Sequence, residues 1–547
     1  MKMKLWPGWT LWILAVLSGG LLTLVFPKYD VSLLAWIALL PLLVALAMAP
    51  SARHSFGLGL LAGAVQFAGM LTWIPFPLIH YGNIAPAPAI AIYGVLAVFL
   101  AIFPGLFGVL IFWGYRYGGR WAPVLAPCAW VASELARNHL AVNGFPWCLL
   151  GYSQTAHLPL MQIADITGIY GVSFLIALVN AVMAGWIIHG LRVESAGRGL
   201  VAISATAFCL FLITLGYGFW PESHACTGKA IPVVCIQGNL PISDTMEPYR
   251  EKYYQGYPRL IRRALQSDRP EIIYSDVNGP SLPATHSDQP AMRQGLSDRP
   301  LVILPESPTP FYFQTDPAFR THMIELARTN HIWLLFNNTS YERVGAYESY
   351  FNSVLLLNPK GDLVSRYDKI HLVPFGEYVP LKSWLRFAGK VLHEVSDFRA
   401  GKEVVVSDMD QVKFGTVICF EALFPELVRR FPLAGAEFLV NLTNDAWYGD
   451  TAAPYQHYKM VIVRAIENRR YVVRATNSGI TSIIDPYGRS LLAGDLFREG
   501  ILSGRVVARN DLTFYTRFGD VFAWICAIIA LVSPIIGYFK GVESKDD

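Results

Sequence analysis

The chain has 547 residues, of which 53% are hydrophobic and only 15% are charged. Soluble domains carry about 25% charged residues, so this composition excludes a purely soluble protein as well as a disordered or fibrous one. The net charge of +4 is too small to indicate nucleic-acid binding. Cysteines and histidines do not show the spacing of zinc ligands, and we expect neither a metal nor another cofactor.

The hydrophobic residues are concentrated in eight segments, each close in length to the roughly 20 apolar residues that a membrane-spanning helix needs. Their approximate bounds are 9–26, 31–49, 56–78, 87–113, 121–137, 167–190, 199–220 and 519–539. The fifth segment is the weakest, because it contains Glu134. The first is preceded by Lys2 and Lys4 and resembles a signal peptide, but six further segments follow closely, so we expect it to be retained.

The distribution of lysine and arginine predicts the orientation of these segments, because basic residues favour the cytoplasmic side of short membrane loops. With eight spans and a cytoplasmic N-terminus, nine basic residues lie in inside loops and two lie in short outside loops. The inside residues are Lys2, Lys4, Arg53, Arg116, Arg120, Arg192, Arg198, Lys540 and Lys545, and the outside residues are Lys28 and Arg137. Both termini are therefore predicted to be cytoplasmic, with the block between the last two segments outside.

This block has the composition of a soluble domain. The chain is thus predicted to comprise a membrane bundle of seven helices (1–224), a soluble domain (225–510), and an eighth membrane helix with a tail (511–547). Short apolar runs alternate with helical patterns in the soluble domain, which indicates an α/β fold with buried sheets. Strands are expected near 231–236, 301–305, 332–336, 353–357, 414–419 and 437–442, helices near 247–266, 316–330, 421–431 and 454–470, and a hairpin over 476–490.

One stretch of the soluble domain, residues 267–300, departs from this alternation. It is rich in Ser, Asp and Pro and contains the sequence SDRP twice, each time before a strand-like run. Such composition is typical of an inserted surface loop or a local duplication.

Three of the seven cysteines fall in the soluble domain, and their odd number leaves at least one free thiol. Cys226 and Cys235 are close enough in sequence to pair, but the sequence does not decide whether they do. Cys419 ends an apolar strand and precedes a helical pattern. Such an elbow exposes a side chain to backbone N–H groups, a setting that lowers a thiol pKa and favours a nucleophile. A buried core cysteine is the commoner alternative.

A nucleophilic cysteine needs a base that accepts its proton. The histidines to consider are His371, His393 and His457, and no neighbouring pattern distinguishes any of them. Glu306 is a better candidate, because it directly follows the strand-like run LVILP, although a solvated loop carboxylate is the simpler alternative.

The run RYDKIHLVPFGEYVP, residues 366–380, supplies a cation. Lys369 has apolar residues within a few positions on both sides and could stabilise a developing oxyanion, or it could be a surface lysine beside Asp368. Glu377 follows in the same run, before a proline. Glu421 lies two residues after the cysteine, where an acid in the first turn of a helix is also favoured by the helix dipole.

The sequences PES, YDKIHLVPFGE and ICFE occur in this order at strand ends and together resemble the Glu-Lys-Cys triad of the nitrilase (carbon–nitrogen hydrolase) superfamily. The sequences NDAWYGD at 444–450 and RAIENRRYVVRATNSG at 464–479 extend the likeness over about 230–505. With seven apolar segments before this region and one after it, the whole chain resembles the apolipoprotein N-acyltransferase family of the bacterial inner membrane.

The resemblance implies a multi-pass α-helical membrane bundle that carries a nitrilase-like α-β-β-α sandwich. It implies that Cys419 is the nucleophile, Glu306 the general base and acid, and Lys369 the oxyanion stabiliser. Glu377 would orient this triad, and Glu421 matches a further acid that the family needs.

Two positions depart from the family pattern. Phe420 stands where the family often has tyrosine, and Met246 stands where it often has tryptophan, so both bear on the shape of the lipid site. The backbone N–H of Phe420 is also the expected second donor to the oxyanion.

The family resemblance further implies a phospholipid acyl donor, a diacylglyceryl-lipoprotein acceptor and a thioester intermediate with ping-pong kinetics. It places the catalytic domain in the periplasm at the bilayer surface, with no nucleic-acid partner. Residues 379–398 mix large apolar with basic side chains and are either an interfacial arm that admits lipids or a packed helix of the sandwich.

Two other classes of function remain open from the residues alone. A membrane-tethered amidase or nitrilase would use the same triad on a small C–N substrate, but such a substrate needs neither eight spans nor an apolar arm. A transporter or scaffold with a degenerate outer domain is disfavoured because the apolar segments hold few charges.

Overall fold

The computed structural model describes residues 7–117, 122–141, 143–192, 198–222, 228–242, 245–266, 271–275, 282–283, 299–306, 310–344, 347–378 and 398–546. The chain divides into two compact units. The first comprises Met1–Ser223, Thr451–Lys459 and Phe518–Asp547, and the second comprises His224–Asp450 and Met460–Arg517. Cys226, His393, nearly all of the proposed arm and most of the segment 267–300 lie outside the described residues.

The first unit is helical. Its longer helices are Gly8–Leu24, Leu40–Ala47, Ala52–Met70, Pro86–Tyr117, Ala122–Leu140, Ile169–Arg192, Arg198–Glu222 and Val521–Asp546, with shorter helices at Ser32–Leu34, Ala35–Ala38, Pro75–His80, Leu150–Gln154, Leu158–Met161 and Ala164–Thr167. Within the described residues, three stretches are long and apolar enough to cross a membrane, namely Pro86–Arg116, Ile169–Leu191 and Arg198–Phe219. Shorter apolar helices occupy Gly8–Leu24, Ser32–Ala47 and Val521–Ser533.

The second predicted span is broken rather than continuous. Helix Leu40–Ala47 begins next to Pro41, which has no N–H to donate. The side chain of Asn180 compensates, because its Oδ1 accepts from the backbone N–H groups of Leu39 and Leu40 at 3.0 Å each, and its Nδ2 donates to the carbonyl of Ala35 at 3.0 Å. A buried polar side chain thus satisfies the backbone at the break, as an apolar environment requires.

The second unit is built on two mixed sheets. The fourteen strands described are β1 (Ala230–Gln237), β2 (Glu271–Tyr274), β3 (Leu282–Pro283), β4 (Leu301–Ile303), β5 (Trp333–Val344), β6 (Tyr347–Leu357), β7 (Leu363–Asp368), β8 (Val406–Met409), β9 (Val412–Ile418), β10 (Phe438–Thr443), β11 (Val472–Thr476), β12 (Ser482–Ile484), β13 (Ser490–Ala493) and β14 (Gly500–Val507). One sheet has the order β3-β2-β14-β1-β4-β5-β6-β7, and the other has the order β13-β12-β11-β10-β9-β8. The strands β1, β4 and β5 are parallel, as are β9, β10 and β11.

The two sheets pack face to face. A Cβ at Gly504 of β14 would lie 2.5 Å from Cδ1 of Ile483 in β12, so glycine permits a close approach of the sheets at this point. The first sheet buries its other face against helices Tyr257–Leu265 and Pro317–Thr329, whose apolar side chains share one core with β1, β4 and β5. This gives the helix-sheet-sheet stacking expected of a nitrilase-like sandwich.

The elements of the second unit agree with most sequence predictions, and the differences have local causes. The remaining helical elements are Glu247–Glu251, Lys252–Gly256, Cys419–Leu423, Pro425–Val428, Arg430–Leu433, Asp445–Tyr448, Ala453–Asn468 and Phe514–Phe518. The helix expected over 421–431 is divided into short pieces, because Pro425 cannot continue the hydrogen bonds of the preceding turn. The hairpin is confirmed as β12 and β13, with the Asp485 carboxylate accepting from the N–H groups of Tyr487 and Arg489 in its turn.

Gly415 lies in β9, the strand that leads to Cys419, and its lack of a side chain is required by packing. A Cβ there would lie 2.6 Å from Cβ of Phe431, which is fixed to the backbone and cannot swing away. We expect Gly415→Ala to destabilise the protein by about 1–3 kcal/mol, through overpacking. The measurement is the melting temperature of the purified protein in detergent. Gly216→Ala, where a Cβ meets no heavy atom within 4 Å, is the control; equal melting temperatures for both variants would contradict this packing argument.

Candidate active site

The residues singled out by the sequence motifs follow the ends of three strands, two in the first sheet and one in the second. Glu306 comes shortly after β4, Lys369 directly after β7, and Cys419 directly after β9. Carboxyl ends of parallel strands gather side chains at one edge of a sheet, which is the usual place for a site in an α/β domain. The structure brings these three residues together, and it places Glu377 and Glu421 beside them.

Lys369 is the central cation of the site and is only 1% exposed. Its Nζ donates to Oε1 of Glu377 at 2.8 Å and lies 3.6 Å from Oε1 of Glu306. Burial alone would lower the pKa of Lys369, but the carboxylates of Glu377 and Glu306 raise it above its usual value. The side chain therefore carries its positive charge at neutral pH, and the surface-lysine alternative is wrong.

Glu306 is a buried carboxylate rather than a solvated loop residue. Its Oε1 accepts from Nδ2 of Asn352 at 3.1 Å, and its Oε2 accepts from the backbone N–H of Asn444 at 3.1 Å. The Cys419 side chain is also a hydrogen-bonding neighbour of this carboxyl group. Burial raises the pKa of Glu306, and Lys369 opposes this increase. A raised pKa suits a carboxyl group to accept and return a proton.

Cys419 is buried, with 6% of its surface exposed, and its backbone φ is +53°. A left-handed conformation is unfavourable for a residue other than glycine, by about 1–3 kcal/mol, and such strain is common where a side chain must be aimed at a reaction. Burial and the nearby Glu306 carboxylate raise the pKa of the thiol, and Lys369 opposes this effect. The prediction of a lowered thiol pKa is therefore wrong, because it considered the local elbow and not the burial that tertiary packing imposes.

Glu421 ties the elbow at Cys419 to the loop that carries Lys369. Its Oε2 accepts from the backbone N–H of Ile418 at 2.7 Å, and its Oε1 accepts from the backbone N–H of Ile370 at 2.6 Å. Oε1 also accepts from Tyr367 and from the N–H of His371. The side chain is fully buried, and burial raises its pKa to about 7 despite these hydrogen bonds. Glu421 does lie in the first turn of the short helix Cys419–Leu423, as the alternative expected, and its carboxylate also ties that turn to the Lys369 loop.

Asn352 is a site residue that the sequence analysis missed. Its Nδ2 donates both to Glu306, at 3.1 Å, and to Oε1 of Glu377, at 2.8 Å. The carbonyl of Asn352 also accepts from the backbone N–H of Lys369 at 2.8 Å. The amide therefore holds two carboxylates in fixed positions around one ammonium. Its only sequence signal is a polar residue on a strand that otherwise ends in leucines.

A second missed group lies after β10. The carboxylate of Asp445 pairs with Arg474 at 2.7 Å, and both side chains are at most 1% exposed. Thr443 is a hydrogen-bonding neighbour of the Cys419 thiol, and the charge of Asp445 contributes to the increased pKa of that thiol. Thr443 and Asp445 thus belong to the surroundings of the thiol, and Arg474 neutralises the charge of Asp445. The likeness over 444–450 pointed to this loop without assigning a role to it.

The remaining predicted residues have different surroundings. Phe420 is buried beside the nucleophile, and its ring lies edge-on to Phe424 at 5.1 Å. Met246 is 50% exposed at the start of helix Glu247–Glu251 and is not among the polar contacts of the triad described above. His371 stacks on Phe424, with 4.0 Å between ring centroids, and burial lowers its pKa. It is therefore placed against an aromatic ring rather than as the base of the thiol.

The charges around Cys419 predict how its reactivity depends on pH. After burial, the Glu306 carboxylate is the main group that raises the thiol pKa, and Lys369 lowers it. We expect Glu306→Gln to shift the pH–rate profile for alkylation of Cys419 by iodoacetamide to lower pH by about one unit, and Lys369→Met to shift it to higher pH. The adduct is measured by mass spectrometry, with the exposed Glu325→Gln as control. An unshifted profile for Glu306→Gln would contradict the arrangement.

The buried carboxyl of Glu421 predicts a pH dependence of stability. Its pKa is about 7 in the folded protein and about 4.3 in an unfolded chain, so the folded state holds a proton that the unfolded state releases between these values. Stability therefore falls as the pH rises from about 4.5 to 7. We expect this fall to be smaller in Glu421→Gln, measured as the melting temperature at pH 5 and pH 7.5. If the melting temperature falls by the same amount between pH 5 and pH 7.5 in the wild type, Glu421→Gln and the control Glu325→Gln, Glu421 is not the source of the pH dependence.

Comparisons with known proteins agree with the site. The family model for the apolipoprotein N-acyltransferase N-terminal domain matches residues 18–182, and the carbon-nitrogen hydrolase model matches residues 253–510. An apolipoprotein N-acyltransferase of Geobacter metallireducens is 39% identical over 529 residues, which cover 96% of this chain and 95% of that protein. One from Methylococcus capsulatus is 32% identical over 538 residues, covering 96% and 95%. One from Nitrosomonas europaea is 30% identical and covers 89% and 88%.

The two matched domains divide the chain as the sequence motifs do, with the triad in the second. The relatives extend over nearly the whole chain and share its length. The resemblance inferred from the triad motifs is therefore confirmed, and the chain belongs to the apolipoprotein N-acyltransferase family, acyltransferases with a carbon-nitrogen hydrolase domain.

Proposed function

We propose that this chain transfers an acyl chain from a phospholipid to the α-amine of the S-diacylglyceryl cysteine at the N-terminus of bacterial lipoproteins, through a thioester on Cys419. The single observation that carries this proposal is the assembly of a thiol, a carboxylate and an ammonium around one point at the strand ends. Membership of the family supplies the substrates, and the geometry supports the order of the chemical steps.

The first half-reaction forms the thioester. The thiol of Cys419 is neutral at rest, so Glu306 accepts its proton as the sulfur attacks the ester carbonyl of the phospholipid. The new carbon–sulfur bond forms, the carbonyl oxygen becomes an oxyanion, and the ester bond then breaks. Glu306 returns the proton to the oxygen of the departing lysophospholipid. Sharing one proton between both steps is general base catalysis followed by general acid catalysis.

Lys369 stabilises the oxyanion in both half-reactions. Its ammonium is fixed by Glu377 and lies in a site from which water is largely excluded, where charge stabilisation is strongest. We assign the second donor to the backbone N–H of Phe420, next to the nucleophile. Removing one such donor typically reduces the rate by about a hundredfold or more.

The second half-reaction releases the thiol. The amine of the lipoprotein cysteine attacks the thioester, Glu306 accepts a proton from this amine, and the amide bond forms. The carbon–sulfur bond breaks and the thiolate recovers the proton from Glu306. Two half-reactions through one covalent intermediate predict ping-pong kinetics.

Glu377 and Glu421 are positioning residues in this scheme. Glu377 holds the ammonium and the Asn352 amide, while Glu421 fixes the elbow of Cys419 to the Lys369 loop. Met246, which is half exposed at a helix start, is assigned to the rim of the lipid site.

Both proposed substrates are anchored in a bilayer, and extracting an acyl chain costs about 0.8 kcal/mol per CH2 group. A catalytic domain at the membrane surface avoids most of this cost. We therefore propose eight membrane spans in the inner membrane, with the domain 225–510 in the periplasm and both termini in the cytoplasm. The three long apolar helices support a membrane location.

The test is detection of the intermediate. Full-length protein in detergent is incubated with palmitoyl phosphatidylethanolamine alone, quenched, and digested, and the Cys419 peptide is examined by mass spectrometry. We expect a palmitoyl adduct in the wild type and none in Cys419→Ala. Cys235→Ala is the matched control, because Cys235 is a buried free cysteine of the same unit and should leave the adduct intact.

Two outcomes would overturn this proposal. One is acylation of a lipoprotein peptide at the wild-type rate by Cys419→Ala, which would exclude a covalent role of this residue. The other is turnover of a water-soluble amide with no adduct from phospholipid, which would favour the membrane-tethered amidase.

A further inference from the structure

Phe375 lies in the turn formed by residues 373–378, and its backbone φ is +62°. Its N–H donates to the carbonyl of Tyr378 at 2.8 Å, and the N–H of Gly376 donates to the carbonyl of Val373 at 3.2 Å. The side chain is 56% exposed. A bulky aromatic residue thus adopts a left-handed conformation while most of its ring is not covered by other residues.

Neither the backbone nor the core accounts for a phenylalanine at this position. A left-handed backbone is unfavourable for a large side chain, whereas glycine adopts it readily. An exposed ring also contributes little to the apolar core. Glycine at residue 375 would make this turn more stable than phenylalanine does. Backbone strain of this kind is characteristic of functional sites.

The turn is fixed to the catalytic centre by one carboxylate. Oε1 of Glu377 accepts from the ammonium of Lys369 at 2.8 Å, and Oε2 accepts from the backbone N–H of Val373 at 2.9 Å. Phe375, two residues before Glu377 in sequence, therefore belongs to a turn that this carboxylate links directly to the Lys369 ammonium.

Further aromatic residues adjoin this turn. The N–H of Phe398 donates to the carbonyl of Glu377 at 3.0 Å, and the N–H of Arg399 donates to the carbonyl of Tyr350 at 2.7 Å. Tyr350 is 38% exposed and lies two residues before Asn352 on β6. Phe398 is thus joined to this turn by a backbone hydrogen bond, and Tyr350 is joined to it through Arg399, so further aromatic residues, whose rings suit contact with hydrocarbon, lie close to Phe375 along the backbone.

We propose that the Phe375 ring contacts the acyl chain of the lipid donor while Cys419 is acylated. The protein tolerates the strained turn because it places the ring for this contact. The inference rests on the proposed function and adds a residue that selects a long hydrocarbon chain. Phenylalanine has no polar group, so its exposed ring favours hydrocarbon over the glycerol or headgroup of the lipid.

The test compares two donors in full-length protein. The first is palmitoyl phosphatidylethanolamine in detergent micelles, followed by mass spectrometry of the Cys419 peptide. The second is p-nitrophenyl acetate, whose two-carbon acyl group cannot reach beyond the triad, followed by the burst of p-nitrophenol. The readout is the ratio of the two acylation rates, together with the melting temperature.

Three variants are informative. Phe375→Gly removes both the ring and the strain, while Phe375→Leu retains apolar bulk. Phe497→Gly is the matched control, because Phe497 is also an exposed phenylalanine with a left-handed backbone, φ +54°, in the same unit. Its N–H donates to the carbonyl of Ser478 and its own carbonyl accepts from the side chain of Asn239, so it belongs to a different turn.

We expect Phe375→Gly to lower the ratio of phospholipid to acetate acylation by about tenfold or more, as expected for the loss of an aromatic contact. Its melting temperature should equal or exceed that of the wild type, because glycine relieves the strain. Phe375→Leu should keep the ratio within about threefold, and Phe497→Gly should leave it unchanged.

Three results would overturn the proposal: an unchanged ratio in Phe375→Gly, an equal loss with both donors, or a melting temperature several degrees below the wild type. The last would mean that the ring packs on its own chain. Absence of a phospholipid adduct in the wild type would contradict the proposed function itself. A change in the variants alone tests the role of Phe375.

Discussion

The site depends on one buried ammonium shared by two carboxylates. Removing a cation such as Lys369 from water costs several kcal/mol unless counter-charges are provided, and here Glu377 and Glu306 provide them at 2.8 and 3.6 Å. Both carboxylates accept from the Asn352 amide and from a backbone N–H, but they are not equivalent, because Glu377 accepts a hydrogen bond from the ammonium whereas Glu306 lies farther from it. The more distant one, with its raised pKa, is the group available for proton transfer. Their different distances from the Lys369 ammonium are therefore consistent with the proposed roles, positioning for Glu377 and proton transfer for Glu306.

A second constraint is the strained backbone of the nucleophile. The left-handed conformation of Cys419 requires support from its surroundings, and the four hydrogen bonds accepted by Glu421 supply it. Because two of those bonds come from Ile370 and His371, the same carboxylate fixes the loop of Lys369. The ends of β7 and β9, which belong to different sheets, are therefore joined by a single buried side chain. This explains why an acid two residues after the nucleophile belongs to the site.

The sequence predicts the triad because its motifs are local: Glu306 and Cys419 each follow an apolar run, and Lys369 lies in the motif YDKIHLVPFGE. It does not predict Asn352, because that residue reaches the two carboxylates only through the pairing of β6 with β5 and β7. The thiol pKa was predicted with the wrong sign for a similar reason. An elbow can be inferred from neighbouring residues, whereas desolvation depends on everything that packs against the sulfur. Contacts between residues that are far apart in the sequence cannot be inferred from hydrophobic periodicity or from the spacing of motifs.

The neutral thiol has a consequence for how the enzyme distinguishes its substrate from water-soluble electrophiles. A thiol whose pKa is raised by burial is a poor nucleophile at rest and reacts slowly with soluble oxidants. In the proposed mechanism it becomes reactive when an acyl carbonyl lies against the Lys369 ammonium, because the developing negative charge is then stabilised and Glu306 can accept the proton. For an enzyme proposed to act in an oxidising compartment, low reactivity without substrate preserves the sulfur. In the proposed mechanism, burial, strain and the shared ammonium thus act together to couple activation of the thiol to binding of the lipid.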